Sequence, residues 1–226
     1  MIQVQDISKK IGSNEVLTSI SLQLAAGKVY GIVGENGAGK TTLFRCIAGL
    51  EDYEGTIKSD KSPLKDHLGL LLTDPFFFPK ITGREYLLLL ANARKVAIEN
   101  IDARNIFDLP LDQYASTYST GMKKKLALLA ILLQKNEYFI LDEPFNGVDI
   151  QSNLLITEII LDLKAKQKTV LISSHIFSTL RDTCDEIHVM QSGRIVKTVL
   201  QANFDQLEAE MKAFYVGEKL KSLAID

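Results

Sequence analysis

Cysteine is scarce in this chain. Cys46 and Cys184 are the only two, far apart and in no metal-ligand spacing. That excludes a disulfide framework and predicts two reduced, partly buried thiols in a cytosolic protein. Long apolar runs are also missing. The strongest, Leu87-Leu88-Leu89-Leu90-Ala91, is bracketed by Arg84, Glu85 and Arg94 and falls far short of the ~20 residues a spanning helix needs. It reads as a buried helix segment, so any membrane role is expected of a separate chain. No signal peptide is recognisable ahead of the strand-like Ile2-Gln3-Val4. A strong charge bias is absent too, with a net charge of −2, which argues against nucleic-acid binding by bulk electrostatics. The run Lys123-Lys124-Lys125 therefore reads as a solvated helix face. No internal repeat or low-complexity segment is present.

What is present suits a single α/β domain over residues 1–226, with 46% hydrophobic residues to build a core. The first 30 or so residues alternate as antiparallel strands do, notably from Val16 to Leu24. Residues 51–66, with Gly55, Pro63 and several charges, look mobile. Leu68 to Leu72 forms the next strand, and residues 74–120 form an inserted helical subdomain with helices at Gly83–Arg94 and Asp102–Phe107. A long helix follows from Thr120 to about Gln134. Short apolar strands at Tyr138–Leu141, Thr169–Ile172 and Ile187–Met190 then alternate with helices at Gln151–Lys166 and Ile176–Asp182. Such alternation predicts a mainly parallel sheet covered on both faces. The stretch Phe204 to Tyr215 reads as an amphipathic helix.

The most informative motif is Gly34-Glu35-Asn36-Gly37-Ala38-Gly39-Lys40-Thr41, followed by Thr42. It fits the phosphate-cradling pattern G-x-x-x-x-G-K-[ST] between a buried strand, Lys28 to Val33, and the start of a helix. Glycines let successive backbone N–H groups point inward, and the helix dipole adds partial positive charge. Lys40 is expected to reach the β- and γ-phosphates of a nucleoside triphosphate, and the Thr41 hydroxyl to hold Mg²⁺. Asp142-Glu143 closes the Tyr138–Leu141 strand just before Pro144. Two carboxylates at the end of a buried strand are costly without a partner, and Mg²⁺ at the phosphate loop supplies one. Asp142 fits the role of metal holder through its water shell, and Glu143 that of polarising the attacking water.

With these residues in place, the whole chain resembles the nucleotide-binding subunit of an ATP-binding cassette (ABC) transporter, with a P-loop NTPase core and an N-terminal antiparallel β-subdomain. Tyr118-Ser119-Thr120-Gly121-Met122 resembles the signature motif usually written LSGGQ, of which Ser119 and Gly121 keep the core. In the family, two cassettes pack head to tail and the signature of one closes on the γ-phosphate held by the other. The resemblance thus implies a second ABC subunit, identical or different, as partner. Phe145-Asn146-Gly147-Val148-Asp149 resembles the D-loop, making Asp149 a cross-dimer contact. Ser173-Ser174-His175 resembles the switch loop, in which His175 senses the γ-phosphate. His67 and His188 read as ordinary surface or core residues.

Three positions depart from the pattern. Ile11 stands where an aromatic residue usually stacks on adenine, Thr73 where a Q-loop glutamine links metal site to permease, and Lys125 where arginine is common. Thr73 reads as too short for the glutamine's task, with Asp74 the neighbouring substitute. Phe76-Phe77-Phe78 cannot all enter one small core from an irregular segment, so at least one is expected at an interface. The family places the permease's coupling helix there. The segment Pro75 to Leu87 resembles the P-x-L-T-x-R-E stretch of cassettes serving multidrug, antibiotic and polysaccharide exporters. The resemblance therefore implies an ATP- and Mg²⁺-dependent ATPase, cytoplasmic and peripheral on the inner face of the cell membrane through its permease. A soluble non-transport ABC ATPase and a weakly hydrolysing half of a heterodimer are the alternative readings.

Overall fold

The computed structural model describes the backbone of residues 1–223 and the side chains of residues 1–213. Its strands are β1 (Ile2–Ile11), β2 (Asn14–Leu24), β3 (Val29–Val33), β4 (Glu54–Ser59), β5 (Leu68–Leu71), β6 (Tyr138–Asp142), β7 (Thr169–Ser173), β8 (Glu186–Gln191) and β9 (Arg194–Leu200). Its helices are α1 (Lys40–Ile47), α2 (Gly83–Ala93), α3 (Thr120–Leu133), α4 (Ile150–Ala165), α5 (Phe177–Thr183) and α6 (Phe204–Leu223).

Among the described residues the strands form two sheets, one in the order β2-β1-β4 and one in the order β5-β6-β7-β3-β8-β9. The first is antiparallel. In the second, β5 to β8 run parallel and only β9 is antiparallel to its neighbour. The period-2 alternation of strand side chains decides which core each one joins. Val29 and Val33 of β3, with Phe139 and Leu141 of β6, face the helices α3, α4 and α5. Tyr30 and Ile32, with Tyr138 and Ile140, face α1 and the antiparallel sheet. Burial on both faces is why these strands read as unbroken apolar runs.

Several expectations are corrected. Residues 54–59 are a strand rather than mobile chain, although only Ile57 and Ser59 are even partly buried. Its polar residues carry no alternation, and it forms because the free edge of β1 pairs its backbone. The Asp102–Phe107 helix shrinks to a single 3₁₀ turn, Asp102–Arg104. The leucine run does form helix α2, opened by a capping box between Thr82 and Glu85. Only Leu87 and Ala91 of that run are buried, while Leu88 and Leu89 are exposed, so the segment is a half-buried helix. Cys46 and Cys184 are buried fully rather than partly. Lys123–Lys125 is not a solvated face, because Lys124 is only 1% exposed. The helix predicted to end near Tyr215 continues to Leu223.

The strand register sets up the site. Ile32 of β3 and Asp142 of β6 both pair with Ser173 of β7, and Leu71 of β5 pairs with Leu141. The carboxyl ends of four adjacent strands therefore lie level, where ligands of open α/β sheets bind.

Candidate nucleotide-hydrolysis site

Each of those four strand ends contributes one part. β3 runs into the phosphate loop, whose turn is closed by the Ala38 N–H donating to the Glu35 carbonyl (3.1 Å). Gly39 precedes α1 at φ +103°, with no side-chain cap on the helix. A side chain there would press within 3.0 Å of Met190, Val16 and Leu17. The first N–H groups of α1 have no intrahelical partners, so the loop and the helix start offer donors to an anion. Lys40 is buried, and its Nζ donates to the carbonyls of Gly34 (2.7 Å) and Glu35 (3.0 Å). Burial lowers its pKa, while the charges of Glu143 and Asp142 oppose that shift.

β6 delivers Asp142, 1% exposed. Its Oδ2 accepts from the hydroxyls of Thr41 (2.6 Å) and Thr73 (2.9 Å), and its Oδ1 from Ser173 (2.6 Å). Thr73, expected to be too short for the task of a Q-loop glutamine, thus reaches the Asp142 carboxylate itself. Glu143 follows at φ +52°, a conformation that costs a non-glycine residue about 1–3 kcal/mol. Its surroundings fix it on both sides. Its N–H donates to Ser173 Oγ (3.0 Å), and its carbonyl accepts from Lys124 Nζ (2.7 Å) and the Asn146 N–H (3.2 Å). The carboxylate points at the switch loop. Oε2 accepts from the His175 N–H (3.2 Å). His175 Nε2 stands 3.0 Å from Oε1, out of line for a hydrogen bond, and Oε1 is buried with no partner among the described residues.

These groups line a cavity of about 630 Å³ that brings together Asn36, Gly37, Gly39, Lys40, Thr41, Thr42, Asp142, Glu143 and His175. Glu35 and Ala38 instead face a second cavity, of about 460 Å³, toward β8, β9 and α6. Arg45 and Asn146 also line the first cavity. Sequence reasoning assigned neither a role, although the helical step from Thr41 could have located Arg45 on α1.

Ser119, Gly121 and Asp149 do not line it. They gather where α3 and α4 begin. Ser119 caps α3 by accepting from the Met122 N–H (3.2 Å), and a Cβ on Gly121 would lie 2.5 Å from the Gly147 carbonyl. Asp149 caps α4 through the Ser152 N–H (2.8 Å) and pairs with Lys125 (3.2 Å). Those contacts, the Ser152 N–H first, hold its carboxyl well below the usual range.

The donors suit a hard divalent cation. A carboxylate and a hydroxyl converge beside a buried carboxylate oxygen that lacks a partner, and oxygen donors of this kind select Mg²⁺ over softer metals. Among the described residues no group of three His, Cys, Asp or Glu side chains could hold a metal unaided. The remaining ligands would be water and phosphate oxygens, the usual arrangement for Mg²⁺.

Residues 17–146, more than half of the chain, match the family described as "ABC transporter". The chain belongs to that family. The cassette is 32% identical to the ABC transporter ATP-binding protein NatA of Bacillus subtilis (strain 168), over 97% of this chain and 98% of NatA. It is also 32% identical to the bacitracin transport ATP-binding protein BcrA of Enterococcus faecalis, over 88% of this chain and 69% of BcrA. The solved structure of an ABC transporter's ATP-binding subunit superposes with a TM-score of 0.79 at 26% identity, covering 88% of this chain and 90% of the other. A dimeric ATP-binding cassette in a post-hydrolysis state, bound to ADP and Pi, gives 0.79 at 17% identity over 89% and 99%, a likeness of fold. The cassette is an ATPase subunit of transporter type. No helix among the described residues is long and apolar enough to cross a membrane.

Proposed function

We propose that the cassette pairs head to tail with a second ABC subunit around two ATP molecules and drives a separate membrane permease as an exporter. In this mechanism the phosphate loop and the α1 start bind the phosphates. Lys40 exchanges its two backbone carbonyls for the β- and γ-phosphates. Thr41 and Asp142 would hold Mg²⁺, which when bound neutralises charge building on the phosphates. Glu143 takes hydrogen-bond hold of the attacking water through its unpartnered oxygen, and His175, with its side chain 44% exposed, reports whether the γ-phosphate is present. Ser119, Gly121 and Asp149, outside the cavity of their own chain, serve the partner's nucleotide. Glu143, lining the cavity with a carboxylate oxygen free of hydrogen bonds among the described residues, supports a hydrolytic capacity of the cassette's own over a weakly hydrolysing half.

One observation carries the coupling to a permease. Thr73 holds Asp142, and only Asp74 and Pro75 separate it from Phe76, which is 70% exposed. Phe76 and Phe78 pack edge to face at 5.3 Å on the surface, while Phe77 anchors the segment against Tyr86 at 4.6 Å. An exposed aromatic pair wired to the metal-site carboxylate is a transmission surface. Export as the direction is supported by relatives named for bacitracin and lantibiotic transport. The test is a pull-down of tagged Glu143→Gln protein, with ATP, from detergent-solubilised membranes of its source. Stoichiometric recovery of a multi-span membrane protein is the expected result. Recovery of ribosomal, DNA-associated or no partners would overturn the proposal in favour of a soluble ABC ATPase.

A further inference from the structure

The ammonium of Lys124, the fifth residue of α3, lies inside the protein and makes no ion pair within 4 Å among the described residues. Its two hydrogen bonds go to backbone carbonyls, those of Glu143 (2.7 Å) and Asn146 (3.0 Å). Both belong to the turn that carries Glu143 through its strained, positive-φ conformation. Burying a lysine is costly; here burial lowers its pKa, and Glu143, Asp74 and Asp142 oppose the shift. A turn needing only a filler would be served by an apolar side chain. The charge is placed where it holds two carbonyls together.

We propose that Lys124 is a positioning residue for hydrolysis: by clamping the Glu143 and Asn146 carbonyls it fixes the backbone that aims the Glu143 carboxylate. The inference rests on the proposed role of Glu143. A strained backbone persists only where its surroundings over-determine it. Ser173 fixes the N–H side of Glu143, and Lys124 fixes the carbonyl side. The lysine makes no hydrogen bond to the phosphate loop and does not line the cavity, so it bears on turnover rather than on nucleotide binding. It also rides on the helix that Ser119 caps, which gives the signature a direct mechanical route to Glu143.

The test is a double-mutant cycle on the purified full chain, measuring ATP turnover, KM and fluorescent-nucleotide affinity. Lys124→Met should lower kcat on the order of 10- to 100-fold, the cost of a small misplacement of a reacting group, with KM and nucleotide affinity within about two-fold. Lys124→Arg, which keeps charge and donors, should recover most of the rate. In a Glu143→Gln background Lys124→Met should add little, because both changes act through one group. Should Lys124→Met fail to fold, Lys124→Gln, a polar side chain without the charge, is expected to show the same split. The inference is overturned if folded Lys124→Met or Lys124→Gln keeps kcat within about two-fold, if nucleotide affinity falls in step with kcat, or if the losses at 124 and 143 simply multiply. A Glu143→Gln variant that turns over like the parent would instead overturn the role given to Glu143, separating the two failures.

Discussion

The two helix starts to which the proposed mechanism gives phosphates, those of α1 and α3, differ in one respect. α1 begins after a left-handed glycine with no side-chain cap, whereas α3 begins under its own serine, whose hydroxyl is engaged with the Met122 N–H. The uncapped start needs only a ligand to satisfy its N–H groups. The self-capped start must give up an internal hydrogen bond before its serine can serve a phosphate. On the proposed mechanism the first binds and the second switches, because a net hydrogen bond is worth only about 1 kcal/mol and the exchange is close to balanced.

Breaking the uncapped start should have the largest effect. Lys40→Met is expected to weaken ATP binding by about 3 kcal/mol, roughly 100-fold in Kd, in a fluorescent-nucleotide titration; a change below five-fold would refute the assignment. Acid should also act on the α1 side. His188 is buried on β8, with Nδ1 at 2.9 Å from Thr198 Oγ1 and Nε2 3.6 Å from a Glu186 carboxylate oxygen but without a hydrogen bond among the described residues. β8 supports the phosphate loop, since the Met190 carbonyl stands 2.2 Å from where a Cβ on Gly34 would be. Burial pushes the His188 pKa down to about 4, against about 6.5 in the unfolded chain. The unfolded state takes up the proton first, so stability is full above pH 6.5 and falls by about 3 kcal/mol as pH drops to 4. Denaturant titrations at pH 7 and 4.5 should reveal this, and His188→Asn should flatten the slope; an unchanged slope would place the acid sensitivity elsewhere.

The self-capped start should fail differently. Ser119→Ala removes a cap worth about 1 kcal/mol and should cut turnover on the order of 10- to 100-fold, as loss of one oriented donor does. Affinity of the isolated chain for nucleotide should not move, and an equal loss in both would erase the distinction between the two starts. The smallest effect belongs to the base. Ile11 is 55% exposed at the end of β1, and Ile11→Tyr should tighten ATP binding by about 1 kcal/mol. Equal gains for ATP and tripolyphosphate would show that stacking is not the cause.

The phosphate loop and Asp142-Glu143 were legible because their chemistry demands particular residue types at fixed spacing beside apolar strands, whereas His175 came only through the resemblance of Ser173-Ser174-His175 to the family's switch loop. β4 was not, because a polar edge strand has no alternation and draws its stability from a neighbour far along the chain. β9 carried a readable signal, the Ser192-Gly193 turn between two apolar runs, which a hairpin reading would have found. Lys124 was hidden by its neighbours. In a run of three lysines, helical geometry turns one inward, and only the packed structure tells which. The reach of Thr73 to Asp142 likewise depends on how closely β5 and β6 lie, a distance that composition does not encode.

The near contact of Gly121 with Gly147 bears on how genetic data would be read. A Cβ at position 121 meets a backbone carbonyl at 2.5 Å within the same molecule, so any substitution there pushes α3 away from the 143–149 segment before a second subunit arrives. An inactive allele at Gly121 is thus no proof of a damaged intersubunit contact. On the proposed head-to-tail pairing, mixing it with a wild-type partner separates the two kinds of injury, because a fault within one chain spoils the site that chain holds, and a fault between chains spoils the opposite one.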